Sequence, residues 1–103
     1  MNFEQLGVIP TILTAIEKQG YTQATPIQVK SIPIVLNRSD LIGCAQTGTG
    51  KTAAFALPML QILTETRRTV DKLPRALILA PTRELAVQVF NDINLFLTAI
   101  QNV

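Results

Sequence analysis

Ala45-Gln46-Thr47-Gly48-Thr49-Gly50-Lys51-Thr52 is the stretch that decides the fold of this chain. Its glycines allow backbone angles that point several N–H groups at one small volume, and it leads into a helix whose N-terminus favours an anion. Lys51 adds a mobile positive charge, and Thr52 offers a hydroxyl to Mg²⁺. The strict pattern has glycine in the first position, where this chain has Ala45. The stretch predicts a phosphate-binding P-loop for a purine nucleotide; the alternative is a glycine-rich turn with an exposed lysine.

Strands are predicted on both sides of this loop. Leu41 to Cys44 is a short apolar run that favours a buried parallel strand, and Arg75 to Ala80 favours a second one. Between them, a helix is expected from Lys51 toward Leu63. Because a proline inside a straight helix costs about 3 kcal/mol, we expect a kink or a break at Pro58.

Two helices are predicted upstream of the loop. The first runs from Pro10 to Gln19 and stops at Gly20. The second begins at Pro26 after Thr25 as its N-cap and continues to about Leu36. Gln28, three residues after Thr25, completes a capping-box pattern.

A last helix is predicted downstream, starting at Arg83 or Glu84 with Thr82 as its candidate N-cap. The order strand, helix, strand, helix indicates an α/β fold with parallel strands flanked by helices. Two strands are too few for a stable sheet of this kind, so we expect the sheet to be incomplete.

Composition excludes several classes of protein. The chain has 103 residues, a net charge of +2, one cysteine and no histidine. A Ser-His-Asp triad and the usual histidine-based zinc sites are therefore excluded, and no intramolecular disulfide can form. The N-terminus has no signal-peptide pattern, and no apolar stretch is long enough to span a bilayer. We expect a soluble protein in a reducing, cytoplasmic compartment.

Three ordered motifs resemble those of DEAD-box ATP-dependent RNA helicases of superfamily 2. Gly20-Tyr21-Thr22-Gln23-Ala24-Thr25-Pro26-Ile27-Gln28 looks like the Q motif, and Phe3 stands at the position of the isolated aromatic seventeen residues upstream of it. Ala45 to Thr52 is similar to the family's own P-loop, which accepts alanine first. Pro81-Thr82-Arg83-Glu84-Leu85-Ala86 resembles motif Ia. The resemblance covers essentially the whole chain and implies the N-terminal part of the first RecA-like domain.

The resemblance implies roles for the upstream residues. Gln28 would recognise adenine through a bidentate hydrogen bond, although it could instead only close the capping box with Thr25. Tyr21 would stack on the adenine, or be a half-buried core aromatic. Gln23 would lie near the base. Phe3 would support the surroundings of Tyr21 or simply pack in the core.

The same resemblance implies how ATP and RNA bind. ATP would lie on the residues Ala45, Gln46, Thr47, Gly48, Thr49, Gly50, Lys51 and Thr52. Lys51 and Thr52 would be the catalytic residues, with Thr52 holding the Mg²⁺ that accompanies the nucleotide. Pro81, Thr82 and Arg83 would contact the RNA backbone without reading its sequence. The alternatives are an N-cap role for Thr82 and a solvated surface charge for Arg83.

The family's Asp-Glu-Ala-Asp sequence, which positions Mg²⁺ and water, does not occur in the chain. We therefore expect nucleotide binding with little or no hydrolysis, in a piece of a longer helicase. Residues 1–37 would form a Q-motif helical region, and residues 38–103 the first part of the RecA-like domain. Unpaired strands would favour self-association or domain swapping.

Two other functions remain open at this point. One is a stand-alone nucleotide- and RNA-binding module without catalysis. The other is a small P-loop kinase, which leaves the stretch from Phe3 to Gln28 unexplained. Preference for GTP over ATP would favour the kinase.

Overall fold

Two helices on either side of the glycine-rich loop pack against each other at the centre of the molecule. The computed structural model describes residues 1–44, 50–66, 74–98 and 100. In chain order the elements are a 3₁₀ turn and four α-helices: the turn Glu4–Leu6, α1 Pro10–Glu17, α2 Pro26–Leu36, α3 Lys51–Glu65 and α4 Arg83–Leu97. The main helix–helix packing is between α2 and α3, with α1 and α4 making smaller contacts. Five residues of the P-loop, 45–49, lie outside the described residues.

The helix starts and stops follow from local chemistry. Proline is the first residue of α1 and of α2, where its missing N–H is not needed. After α1, Gly20 takes a left-handed φ of 82°, which stops the helix near the predicted place. At α4, the Thr82 side chain accepts a hydrogen bond from the Leu85 N–H at 3.1 Å. The predicted bounds of α1, α2 and α3 are confirmed to within two residues, and so is the predicted start of α4.

The core is built mainly from α1, α2 and α3. Its large fully buried apolar side chains include Ile12, Ile16, Ile32, Leu57 and Leu60. Burying each such side chain stabilises the fold by about 1.5–3 kcal/mol. Phe96 of α4 and the turn residue Phe3 join the same cluster. The core therefore combines the helical region before residue 38 with the helix that follows the P-loop.

The two predicted strands are not formed among the described residues. Residues 41–44 and 74–80 belong to no helix or strand, and no backbone hydrogen bond joins the two segments in the described part of the chain. Ile42 is 94% exposed, Leu77 83% and Leu79 84%, and Cys44 is exposed as well. The prediction that these runs are buried is therefore wrong here. An apolar run becomes a buried parallel strand only when other strands pair with it and helices cover its faces, and the described residues supply no further strand.

Helix α3 continues through Pro58 without interruption, so of the predicted kink or break the break is wrong, and the kink stays a prediction. The proline side chain is buried in the core, as are Leu57 and Leu60 beside it. A proline inside a helix removes one backbone hydrogen bond. Since most helix stability in proteins comes from packing of the apolar face, the burial of α3 offsets that loss.

Arg75 binds the far end of α3. Its Nη2 donates to the carbonyl oxygens of Leu63 at 3.0 Å and Thr66 at 2.8 Å. A helix C-terminus has carbonyls without partners and a partial negative charge, so a guanidinium is favourable there. Arg75 thereby fixes the start of the extended segment 74–80 against α3.

Candidate functional site

The described residues of the predicted phosphate site lie at the start of α3. Gly50, the residue before the helix, has φ 80° and ψ 29°, a left-handed conformation that glycine adopts without strain. Lys51 is the first residue of α3 and is exposed, and Thr52 follows it, half-buried. The free N–H groups and the dipole of this helix end favour an anion. Gly50 and the helix start after it therefore form an end of the predicted P-loop that suits an anion.

Gln28 connects the start of α2 to the end of the P-loop. Its Oε1 accepts from the Thr25 N–H at 2.9 Å, and its Nε2 donates to the Gly50 carbonyl at 3.1 Å. The side chain is 2% exposed. The predicted capping box is thus present at the start of α2, and Gln28 closes it on the Thr25 N–H. In this arrangement the Gln28 amide binds the protein itself at both of its ends.

Gly50 also lies too close to Gln28 to carry a side chain. A Cβ built on Gly50 would collide with the Gln28 Nε2 and come within 3.4 Å of the Thr25 hydroxyl. Glycine is therefore required here for two reasons, its left-handed φ and this close approach.

Tyr21 lies in an aromatic cluster with Phe3 and Phe96. The Tyr21 ring centroid is 6.2 Å from that of Phe3 and 5.8 Å from that of Phe96, which it meets edge to face. Such pairs add about 0.5–1.5 kcal/mol beyond the burial of their area. Burial, and then the nearby Asp92 carboxylate, raise the pKa of the Tyr21 hydroxyl above its ordinary value of 10.0. Tyr21 is thus half-buried, with Phe3 packed against one part of its ring.

One groove brings the tyrosine and the start of α3 together. It has a volume of about 420 Å³ and is lined by Tyr21, Gly50, Lys51 and Thr52 on one side and by α4, including Asp92, on the other. Gln28 lies beneath this surface, in contact with Gly50. A ring able to stack and a cation able to bind phosphate thus border the same space.

A family model described as DEAD/DEAH box helicase matches residues 25–103, more than half of the chain. The chain belongs to this family. It is 53% identical over 87 residues to the ATP-dependent RNA helicase SrmB of Haemophilus influenzae, covering 84% of this chain and 20% of the relative. It is 46% identical over 91 residues to the DEAD-box ATP-dependent RNA helicase CshA of Geobacillus kaustophilus, covering 88% of this chain and 19% of the relative. The chain therefore spans about a fifth of the length of these curated relatives.

Solved structures of the helicase family have the same arrangement. The RNA-helicase Prp28 from Chaetomium thermophilum, bound to ADP, superposes with a TM-score of 0.86 at 45% identity over 97% of this chain and 24% of that one. A DEAD box protein from Methanococcus jannaschii gives 0.81 at 41% identity, over 93% and 25% of the two chains. These neighbours are RecA-like helicase domains. The described residues of this chain show the helical part of such a domain.

The remaining predicted site residues lie apart from the groove. Gln23 is exposed, and its Oε1 accepts from the Met1 amino group at 3.3 Å. Pro81, Thr82 and Arg83 are exposed at the start of α4, where Thr82 is the N-cap. Their proposed contacts with base and RNA stay predictions.

Metal binding at this site would rest on few protein ligands. Within the described ranges no three His, Cys, Asp or Glu side chains are grouped closely enough to hold a metal ion. Mg²⁺ usually keeps several waters and takes only one or two protein ligands beside the phosphates, so the single Thr52 hydroxyl bordering the groove fits that ion.

Sequence reasoning missed two contributors to the site. Phe96 lies seven residues after Val89 on α4, so its place on the buried face follows the helical period. Its contact with Tyr21, however, joins distant parts of the chain and has no local signal. The bond from Gln28 to the Gly50 carbonyl was also missed, because it links two separate motifs.

No helix in the described part of the chain is long and apolar enough to cross a membrane.

Proposed function

We propose that the chain is the ATP-binding N-terminal portion of the first RecA-like domain of an ATP-dependent RNA helicase. The observation that carries this proposal is the groove that Tyr21 shares with Lys51 and Thr52. An adenine nucleotide needs an aromatic surface at one end and cationic and N–H donors at the other. Membership of the helicase family supports the same ligand, and the solved relative from Chaetomium thermophilum is bound to ADP.

The phosphates are proposed to bind at the start of α3. Lys51 neutralises their charge, the backbone from Ala45 to Gly50 supplies N–H donors, and Thr52 binds the Mg²⁺ that accompanies ATP. Gly50 is already in the left-handed conformation that ends the loop and opens the helix. Little rearrangement of α3 itself is then needed when a nucleotide enters.

The adenine is proposed to lie toward Tyr21, with Gln28 and Gln23 near its edge. Gln28 has to use hydrogen-bonding capacity beyond its bonds to Thr25 and Gly50, namely its second amide hydrogen and the second lone pair of Oε1. The alternative is that it exchanges one of these bonds for adenine. In either case the base and the end of the P-loop are connected through one side chain.

RNA is proposed to bind at the exposed start of α4. Pro81, Thr82 and Arg83 are all accessible there. Arg83 supplies a charge for the sugar-phosphate backbone, and backbone contact gives affinity without sequence readout. Thr82 keeps its capping role while its surface faces outward.

We propose that these 103 residues alone bind ATP with little or no hydrolysis. No Asp-Glu-Ala-Asp sequence occurs among them, and phosphoryl transfer in this class needs such a carboxylate and an arginine from elsewhere. Residues 1–37 then serve as the adenine-binding region, and residues 38–103 as the phosphate- and RNA-binding start of the RecA-like domain. The single cysteine of the chain suits a reducing, cytoplasmic location.

Self-association is part of this proposal. Leu77 and Leu79 extend into solvent from the unpaired segment 74–80, and an apolar groove of about 320 Å³ lies between this segment and α4. An exposed extended segment with free backbone groups is a template for pairing with a second chain. A clean monomer by light scattering at micromolar concentration contradicts this part.

The experiment is a titration of a fluorescent adenine nucleotide with the wild-type chain, Lys51→Ala and Gln28→Ala. Loss of affinity in Lys51→Ala and loss of ATP-over-GTP preference in Gln28→Ala support the assignment. Equal affinity in all three proteins ends it. Lys18→Ala, which removes a cation outside the groove, is the matched control and keeps wild-type affinity.

A further inference from the structure

Gln61 is a buried amide in the middle of an otherwise apolar helix face. Its Oε1 accepts from the Ile9 N–H at 3.0 Å, and its Nε2 donates to the Gly7 carbonyl at 2.9 Å. These bonds join residues 52 and 54 positions apart in the chain. A leucine would fill the same space on α3, so the amide is explained by these two hydrogen bonds rather than by packing.

The segment that Gln61 holds leads directly to the aromatic cluster. Gly7 has φ 99°, and a Cβ on it would lie 3.3 Å from the Leu36 side chain, so this backbone already has little freedom. It follows the 3₁₀ turn Glu4–Leu6, which Phe3 precedes. Phe3 is buried and contacts the Tyr21 ring. A continuous path of contacts therefore runs from α3 through residues 3–9 to Tyr21.

The other end of α3 carries the phosphate-binding residues. Lys51 and Gln61 are ten residues apart on one uninterrupted helix, a separation of about 15 Å at 1.5 Å per residue. Lys51 at the start of α3 and Tyr21 at the end of the path border the same groove. The distance between the aromatic ring and the lysine thus depends on how residues 7–9 are attached to α3.

We propose that Gln61 is a positioning residue of the nucleotide site, which fixes Tyr21 relative to Lys51 by holding residues 7–9 on α3. This rests on the proposed function, because it assigns the base and phosphate ends of one ATP to these two residues. Gln61 does not touch the nucleotide. It acts on recognition of the base and leaves the attraction of the phosphates unchanged.

The first test needs no nucleotide. Tyr21 is the only tyrosine, and the chain has no tryptophan, so intrinsic fluorescence and its quenching by acrylamide report on this ring alone. In Gln61→Met, which keeps the volume but removes both hydrogen bonds, Tyr21 becomes more accessible to the quencher. Ile32→Val, a core change on α2 that leaves both Gln61 bonds in place, is the control and keeps wild-type quenching.

The second test separates recognition of the base from binding of the phosphates. The affinities for ATP and for inorganic tripolyphosphate are measured by calorimetry for the wild-type chain, Gln61→Met and Ile32→Val. We expect Gln61→Met to weaken ATP about tenfold, the equivalent of one lost net hydrogen bond, with tripolyphosphate affinity unchanged. Gln61→Leu, which fills the same space on α3 and also removes both hydrogen bonds, is expected to give the same loss and serves if Gln61→Met does not fold.

The outcomes distinguish this inference from the proposed function. If the wild-type chain binds ATP but a folded Gln61 variant has unchanged quenching and unchanged ATP affinity, the positioning role is refuted. An equal loss of ATP and tripolyphosphate affinity also refutes it, since that indicates a general loss of structure. If the wild-type chain binds neither ligand, the proposed function fails, and the quenching result alone then decides whether Gln61 holds Tyr21 in place.

Discussion

Replacing Gly50 with alanine is the sharpest test of how the P-loop is joined to α2. Gly50 and Gly20 have nearly the same left-handed φ, 80° and 82°. Around Gly20 there is nothing within 4 Å of a new Cβ, whereas at Gly50 the Cβ collides with the Gln28 amide. Gly20→Ala is therefore a matched control, because it has the free-energy cost of a left-handed alanine but no collision of the new Cβ with another side chain.

The expected magnitudes follow from these two terms. A left-handed alanine costs about 1–2 kcal/mol at either site. At Gly50 the Gln28 side chain must also move, and it is buried with its Oε1 held by Thr25. Losing its bond to the Gly50 carbonyl and leaving a buried donor unpaired costs about 1–3 kcal/mol more. Gly50→Ala should thus lose about 2–5 kcal/mol and Gly20→Ala about 1–2 kcal/mol.

Urea unfolding of both variants measures the difference, and thermal unfolding reports it as well, since about 1 kcal/mol shifts Tm by about 4–8 °C in a domain of this size. A double variant isolates the contact. In a Gln28→Ala background the collision is gone, so Gly50→Ala should cost no more than Gly20→Ala does in the wild-type chain. Equal losses for the two single glycine variants would refute the role assigned to Gln28.

Three further outcomes are expected. Folding raises the Tyr21 pKa, so the stability that comes from the neutral hydroxyl is complete below pH 10.0 and is lost as pH rises through the pKa of the folded chain. In urea unfolding, the wild-type chain should lose more stability than Tyr21→Phe between about pH 9 and about pH 11. Parallel curves for the two proteins contradict this. Thr82→Ala should lose about 0.5–2 kcal/mol with its N-cap bond, while Thr98→Ala at the other end of α4 should lose less, as urea midpoints will show. Replacing both Leu77 and Leu79 by lysine should shift light scattering toward monomer without lowering Tm, and unchanged assembly argues against pairing through this segment.

The helices could be predicted from sequence because their determinants are local. Proline at the first helical position, glycine at a stop and threonine at a cap each act within a few residues, and the structure confirms them at α1, α2 and α4. Of the kink or break predicted at Pro58, the break was wrong because burial of α3 depends on α2 and the core, which no local rule includes.

Strand and site predictions depended on parts of the chain that are far apart. Ile42 and Leu77 have the character of buried strand residues, but burial needs neighbouring strands, and the described chain exposes both. Tyr21 and Lys51 were each identified by motif, whereas the groove they share follows from packing of α3 and α4. Gln61 carried no motif, so its two bonds across the fold were visible only in the structure.

Two glutamine side chains attach helix α3 to the rest of the fold, Gln28 of α2 at its start and Gln61 of α3 itself further along. Gln28 binds the carbonyl of Gly50, and eleven residues later Gln61 binds Gly7 and Ile9. Inserting one residue between these points would turn Gln61 by about 100° around the helix axis and carry it about 1.5 Å along it, away from both partners. Four inserted residues would restore the face to within about 40° but displace the amide by about 6 Å. The segment from Gly50 to Gln61 therefore cannot change in length without losing these bonds.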